Sequence, residues 1–261
     1  MSGLPRKNVL RKLHRKLMID QSRRCRSSHQ CRVNHCKKHS PSFSGYELKI
    51  STKHMTNIKK SRVVAAAIQY GIDDCIETGT YKGDTTLFLA NSGACERIYT
   101  IEMSKRLYEE AKQRFQNEID NGNMNAKKIV ALYGDSGNVL RYFDDFKSMK
   151  GRNILYFLDG HYSYLGTARG KEDSPILREL DFIFDVHRKS SGVQVVLIDD
   201  VREFRGSRLR EREGGGVTDQ VIFYPELSDI MDKLCESDPT AFVDLQDDLF
   251  IVVTNTHYHV V

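Results

Sequence analysis

A chain of 261 residues with 39% hydrophobic and 29% charged residues has the balance of a globular protein, and room for one large domain with a tail or two small domains. No apolar run approaches the roughly 18 residues that a transmembrane helix requires, which excludes a spanning segment of that kind. The net charge of +5 conceals an asymmetry: residues 1–60 hold 16 Lys/Arg against 2 acids (net +14), and the remainder holds 24 against 33 (net −9).

The basic head, residues 1–55, lacks sustained core periodicity and reads as a disordered arm. Within it Leu10, Leu13 and Leu17 share one helical face among cations, the pattern of a short amphipathic helix on an anionic surface or of a targeting peptide. Cys25, Cys31 and Cys36 lie among His29, His35 and His39, but their spacing departs from the tight C-x2-C knuckles of zinc sites. The N-terminus has no apolar signal-peptide segment, so the expectation is an intracellular, cytoplasmic protein with free thiols. Organelle or nuclear targeting by the basic head stays open, and the sequence is silent on oligomeric state.

From residue 56 to 261 helices and strands alternate. "NIKKSRVVAAAIQYG" predicts a helix, "DCIETG" a strand, and "GDTTLFLANSG" the helix after it. "RIYTIEM" is a strand, "SKRLYEEAKQRFQNEI" a helix capped by Ser104, and "KIVALYGDS" a strand. A short helix near "VLRYFDDF" precedes the strand "NILYFLDG", the helix "SPILRELDFIFDVH" and the strand "VQVVLIDDV". Such apolar strands between helices belong to a parallel sheet buried on both faces. "YPELSDIMDKLCESD" then reads as a helix, and "TAFVDLQDDLFIVVTN" as two strands whose short link makes them antiparallel.

In such sheets ligands bind beyond the carboxyl ends of the strands. There the five strands deliver Glu77 with Thr78-Gly79-Thr80-Tyr81-Lys82-Gly83, then Glu102 and Met103, then Asp135 and Ser136, then Asp159, Gly160 and His161, then Asp199 and Asp200. Helix capping explains one or two acids at such places; five mark a site. The first turn brings backbone close to a ligand through Gly79 and Gly83, yet carries an acid where a pyrophosphate site would not. Glu102 is placed to accept from ribose hydroxyls. Together these indicate a nucleoside with a positive or zwitterionic tail.

At these residues the chain resembles the class I S-adenosylmethionine-dependent methyltransferases, over about residues 56–255. The resemblance implies a Rossmann-like, doubly wound α/β fold with a mostly parallel seven-stranded sheet and an antiparallel C-terminal hairpin strand. It implies that Glu77, Gly79, Thr80 and Gly83 wrap the methionine part and ribose of the cofactor, that Glu102 holds the ribose, that Met103 flanks adenine, and that Asp135 and Ser136 lie at the adenine edge. Thr80-Tyr81-Lys82 between the glycines departs from the commoner E/D-x-G-x-G-x-G pattern. Asp159, Asp199 and Asp200 resemble the set that binds Mg²⁺ or a similar divalent ion in catechol-type O-methyltransferases. The phrases "DGHYS" and "IDDVREF" resemble sugar and natural-product O-methyltransferases, in which reading His161 is the general base beside Asp159.

The segment "REFRGSRLREREGGGVTDQ" reads as a lid loop, whose Arg202, Arg205, Arg208, Arg210 and Arg212 suit an anionic acceptor. The leading expectation is methyl transfer to a hydroxyl of a sugar, glycan or other small molecule. An RNA methyltransferase using the basic arm to hold nucleic acid, and a silent nucleotide-binding scaffold, are the alternatives.

Overall fold

The computed structural model describes residues 52–142, 149, 151–163, 167–187, 190–211, 217–238, 240–246 and 248–254. The chain divides into two units, 1–53 and His54–Val261, and the architecture below is that of the second. The Leu10/Leu13/Leu17 face, the Cys25/Cys31/Cys36 cluster and Arg212 lie outside the described residues.

Helix α1 (Thr52–Gln69) leads into β1 (Asp74–Thr78), α2 (Asp84–Ser92), β2 (Arg97–Glu102), α3 (Lys105–Asp120) and β3 (Ile129–Tyr133). Next come α4 (Ser136–Tyr142), β4 (Ile154–Leu158), α5 (Ile176–His187) and β5 (Gln194–Ile198). A small hairpin, β6 (Arg208–Glu211) and β7 (Val217–Ile222), precedes α6 (Leu227–Ser237), β8 (Phe242–Gln246) and β9 (Leu249–Thr254). Ser104 caps α3 as its position predicts, accepting from Leu107 N at 3.4 Å.

Every residue of β1, β4 and β5 is buried, as strands covered on both faces must be. One face joins Val63 and Ala67 of α1 and Leu89 of α2 to Cys75, Ile98, Leu155, Val195 and Val253. The alternating residues Ile76, Tyr156 and Val196 are buried as well, and strand geometry turns them to the opposite face. α4 packs on α5, and α5 on α6.

The sheet runs β3-β2-β1-β4-β5-β9-β8. β1 to β5 are parallel; β9 runs antiparallel between β5 and β8. The expected seven-stranded sheet with its reversed terminal strand is present. Thr78, Leu158 and Ile198 stand in one row across β1, β4 and β5, so the residues after them reach the rim side by side. Because β9 is antiparallel, it begins where β5 ends: Phe250 pairs with Ile198.

Two expectations are corrected. The Arg- and Gly-rich segment is not a simple loop, since β6 and β7 pair as a separate two-stranded antiparallel sheet. The free-thiol expectation fails at Cys75 and Cys95, which form a disulfide. One lies on β1 and the other just before its neighbour β2, with Cα atoms 6.2 Å apart, inside the bonding range. No described helix is long and apolar enough to cross a membrane.

Candidate functional site

The rim beyond β1 and β2 is built mainly from backbone. Gly79 has φ +82°, and a Cβ there would lie 2.3 Å from the Asp159 carbonyl oxygen, so only glycine lets the two loops meet. Glu102 receives Tyr81 N at 2.8 Å on one carboxylate oxygen and Ser104 N at 2.7 Å on the other. It thereby fixes the first loop against the end of β2, and each oxygen keeps a second lone pair for a ligand hydroxyl. Thr80 is buried, its hydroxyl 2.6 Å from that of Thr100, and Gly83 N closes the turn onto Thr80 O at 2.8 Å.

Glu77 lies deeper. Its Oε2 accepts from Thr86 at 2.5 Å and Thr100 at 2.6 Å, bracing β1, α2 and β2 beneath the loop. Burial pushes its carboxyl up to about 7, against the pull of the two hydroxyls. Met103 lies alongside Gly170. Asp135 holds Gly137 N at 3.0 Å and pairs with both oxygens to Arg178 of α5 at 3.0 and 3.2 Å. Ser136 donates to Glu179 at 2.5 Å, and burial pushes Glu179 up to about 7 as well.

Across the Gly79 contact, the ends of the neighbouring strands β4 and β5 meet. His161 spans two carboxylates: Nδ1 is 3.4 Å from Asp159 and Nε2 is 3.3 Å from Asp200. Its side chain is 6% exposed. Tyr224 meets the ring edge-on at a centroid distance of 6.0 Å, and Phe204 packs against Tyr224 with the two rings tilted by 59°. His161 also lines a small cavity with Gly160, Pro175, Glu179 and Phe204. Burial alone would lower the imidazole pKa, but the Asp200 hydrogen bond and the charges of Asp159, Asp200 and Asp199 outweigh it and raise it to about 9. Asp159 is pushed up by burial and the neighbouring carboxylates, with His161 opposing; Asp200 moves down despite burial, held by His161, Lys59 and Arg202.

The acids expected to hold a divalent ion have protein partners. Lys59 of α1 pairs with Asp199 and, at 2.8 Å, with Asp200 Oδ1, and its Nζ is 3.8 Å from Asp248. Arg202 reaches Asp200 at 2.8 Å and also contacts Asp248. Asp159, His161 and Asp200 present one donor atom each within 4.8 Å of one another, a set in which His161 replaces Asp199. Of the arginines expected to meet an anionic acceptor, Arg202 and Arg208 engage internal acids: Asp200 and Asp248 for the first, Glu203 for the second.

Sequence reasoning missed Lys59, Asp248, Tyr224, Phe204, Arg178 and Glu179. Asp248 had a readable signal, because a reversed strand next to β5 must begin at the rim.

The strand order and the single reversed strand decide the architecture. This is the class I methyltransferase fold. No family model matches the chain, and no curated protein matches it. Among solved structures it is similar to the O-methyltransferase TomG from Streptomyces achromogenes, at 18% identity over 75% of this chain and 78% of that one, TM-score 0.48. It is similar to the methyltransferase domain of bacterial CtHen1-C at 18% identity over 76% and 97%, TM-score 0.49. It is also similar to DhpI in complex with SAH at 12% identity over 77% and 85%, TM-score 0.44. The fold assignment rests on the strand order itself.

Proposed function

We propose that the domain transfers a methyl group from S-adenosylmethionine to a hydroxyl of a sugar, glycan or other small molecule. One observation carries this reading: the Glu102-fixed loop and the His161 cluster face one another across the Gly79–Asp159 contact. The first half offers carboxylate lone pairs and main-chain curvature to a nucleoside. The second offers a proton acceptor at the adjoining strand end.

In this mechanism Glu102 binds the ribose hydroxyls, while Gly79, Thr80 and Gly83 line the methionine part. Met103, Asp135 and Ser136 border the adenine, and Glu77 stiffens the floor through Thr86 and Thr100. The acceptor oxygen attacks the methyl carbon in line; the O–C bond forms as the C–S bond breaks, and the bonding pair stays on sulfur. The acceptor proton passes to the Asp159–His161–Asp200 cluster, in which each ring nitrogen of His161 faces a carboxylate. With its pKa raised to about 9, His161 starts as an imidazolium, and the approaching sulfonium, a like charge, pushes that pKa back down. Asp159 and Asp200 orient the ring. Positioning supplies most of the rate enhancement.

The test has two stages. Calorimetry with S-adenosylmethionine should show binding that Glu102→Ala removes; no binding by the folded wild type sinks the proposal. Isotopic methyl transfer to a panel of hydroxylated acceptors should then give turnover that His161→Ala abolishes with cofactor affinity nearly unchanged.

A further inference from the structure

We infer that Lys59 is the resident cation of the acid cluster, standing where a divalent ion would have to bind, and that the cluster takes no such ion. This rests on the reading above only for where an ion would be expected; it does not depend on methyl transfer.

Four carboxylates gather at the ends of β4, β5 and the β8–β9 turn: Asp159, Asp199, Asp200 and Asp248. Left alone they repel, and a hard divalent ion with oxygen ligands is one remedy. The chain supplies another. Lys59 Nζ bonds Asp199 Oδ1 and Asp200 Oδ1 together, bridging the pair as a shared ion would, and faces Asp248 at 3.8 Å. Asp200 Oδ1 also carries Arg202, and Asp200 Oδ2 faces His161 Nε2. In the alternative set of Asp159, His161 and Asp200, the Asp200 carboxylate is shared with Lys59 and Arg202, and each ring nitrogen of His161 faces a carboxylate.

Three side-chain cations thus answer four acids. The Lys59 side chain is only 14% exposed and is carried by an eighteen-residue helix packed on the sheet, so it enters the cluster without loss of free-ion entropy. An incoming ion would have to expel a tethered ammonium and leave it buried among its former partners, which is costly. On the acceptor side, this places an ammonium, a hydrogen-bond donor of fixed position, beside the His161 ring through their shared partner Asp200.

The test is a thermal-shift titration of the full chain with Mg²⁺ and with Ca²⁺, hard ions that thiols and imidazoles elsewhere bind poorly. Each response is read relative to the same protein carrying Asp200→Asn. The wild type should show none. Lys59→Ala, which vacates the position, should gain a response of roughly 5–10 °C at a hundredfold excess over its Kd. If Lys59→Ala is unfolded in ion-free buffer, recovery of the folded state by Ca²⁺ is the same positive result. A wild-type response that Asp200→Asn removes overturns the inference, and so does a Lys59→Ala protein that stays indifferent to both ions. Failure of S-adenosylmethionine to bind would leave this experiment intact, so the two proposals fall separately.

Discussion

Replacing Gly79 by alanine probes the contact that joins the two halves of the site. The added methyl meets two independent costs. The backbone is at φ +82°, where a side chain costs about 1–2 kcal/mol. The Cβ would also lie 2.3 Å from the Asp159 carbonyl oxygen, and that main chain cannot retreat, because Asp159 N is bonded to Thr78 O at 3.1 Å and β1 pairs with β4 through Leu158. Overpacking of this kind adds about 1–3 kcal/mol. The sum, about 2–5 kcal/mol, is a large share of the roughly 5–15 kcal/mol that holds a domain together. Gly93 is the natural control: its φ is +70°, and a Cβ there would meet nothing within 4 Å. Gly93→Ala should therefore lose only the conformational part, about 1–2 kcal/mol. At roughly 2–4 °C per kcal/mol, thermal melts should place Gly79→Ala about 4–20 °C below the wild type and Gly93→Ala about 2–8 °C below. Equal losses in the two variants would refute the close approach.

Other expected outcomes follow from the same contacts. His161 has a folded pKa raised from 6.5 to about 9, so its contribution to stability is complete below pH 6.5 and is lost as pH rises through 9. Urea denaturation should find His161→Gln less stable than the wild type by up to about 3 kcal/mol at pH 6, with the gap closed by pH 10. If His161 is the proton acceptor, single-turnover methyl transfer by the wild type should quicken with pH and level off below 9, because the bound sulfonium lowers the imidazolium pKa, and a flat profile would count against that role. Glu77, raised from 4.5 to about 7, costs stability as pH climbs between those values. Glu77→Gln should consequently gain on the wild type as pH rises from 4.5 to about 7, with no further gain above that, in the same denaturation assay.

The strands were legible because burial on two faces leaves an unbroken apolar run: "ILYFL" and "QVVLI" admit little else. The rim acids were legible for a related reason, since a carboxylate has no place inside such a run and must mark its end. β6 and β7 were not legible. "RLRE" and "VTDQVI" form a separate two-stranded sheet in which Leu209 and Val221 stay exposed, so no alternation of apolar and polar faces is imposed on them. Lys59 was hidden differently. It stands beside Lys60 and Arg62 in a helix whose cations read as a solvated face, and nothing local separates the one that enters the cluster. Its role depends on partners on β5 and on the last hairpin, which local patterns do not encode. Asp135 was read at its proper strand end, but its partner Arg178 comes from α5, and no spacing predicts that pairing.

The meeting of Lys59 with Asp248 also bears on how the protein is made. α1 is the first described element of the domain and the β8–β9 turn nearly the last, and a second tie between the same elements, Arg62 to Gln246, spans 184 residues. A ribosome that has released only the first five strands has delivered β1, β2, His161 and both acids of β5, but not the turn that closes the cluster. Asp248 joins Lys59 and Arg202 only once β9 has inserted beside β5, a pairing of long sequence separation and therefore a slow one. A chain cut short before Leu249 would leave β5 as an open edge, prone to pairing with other chains.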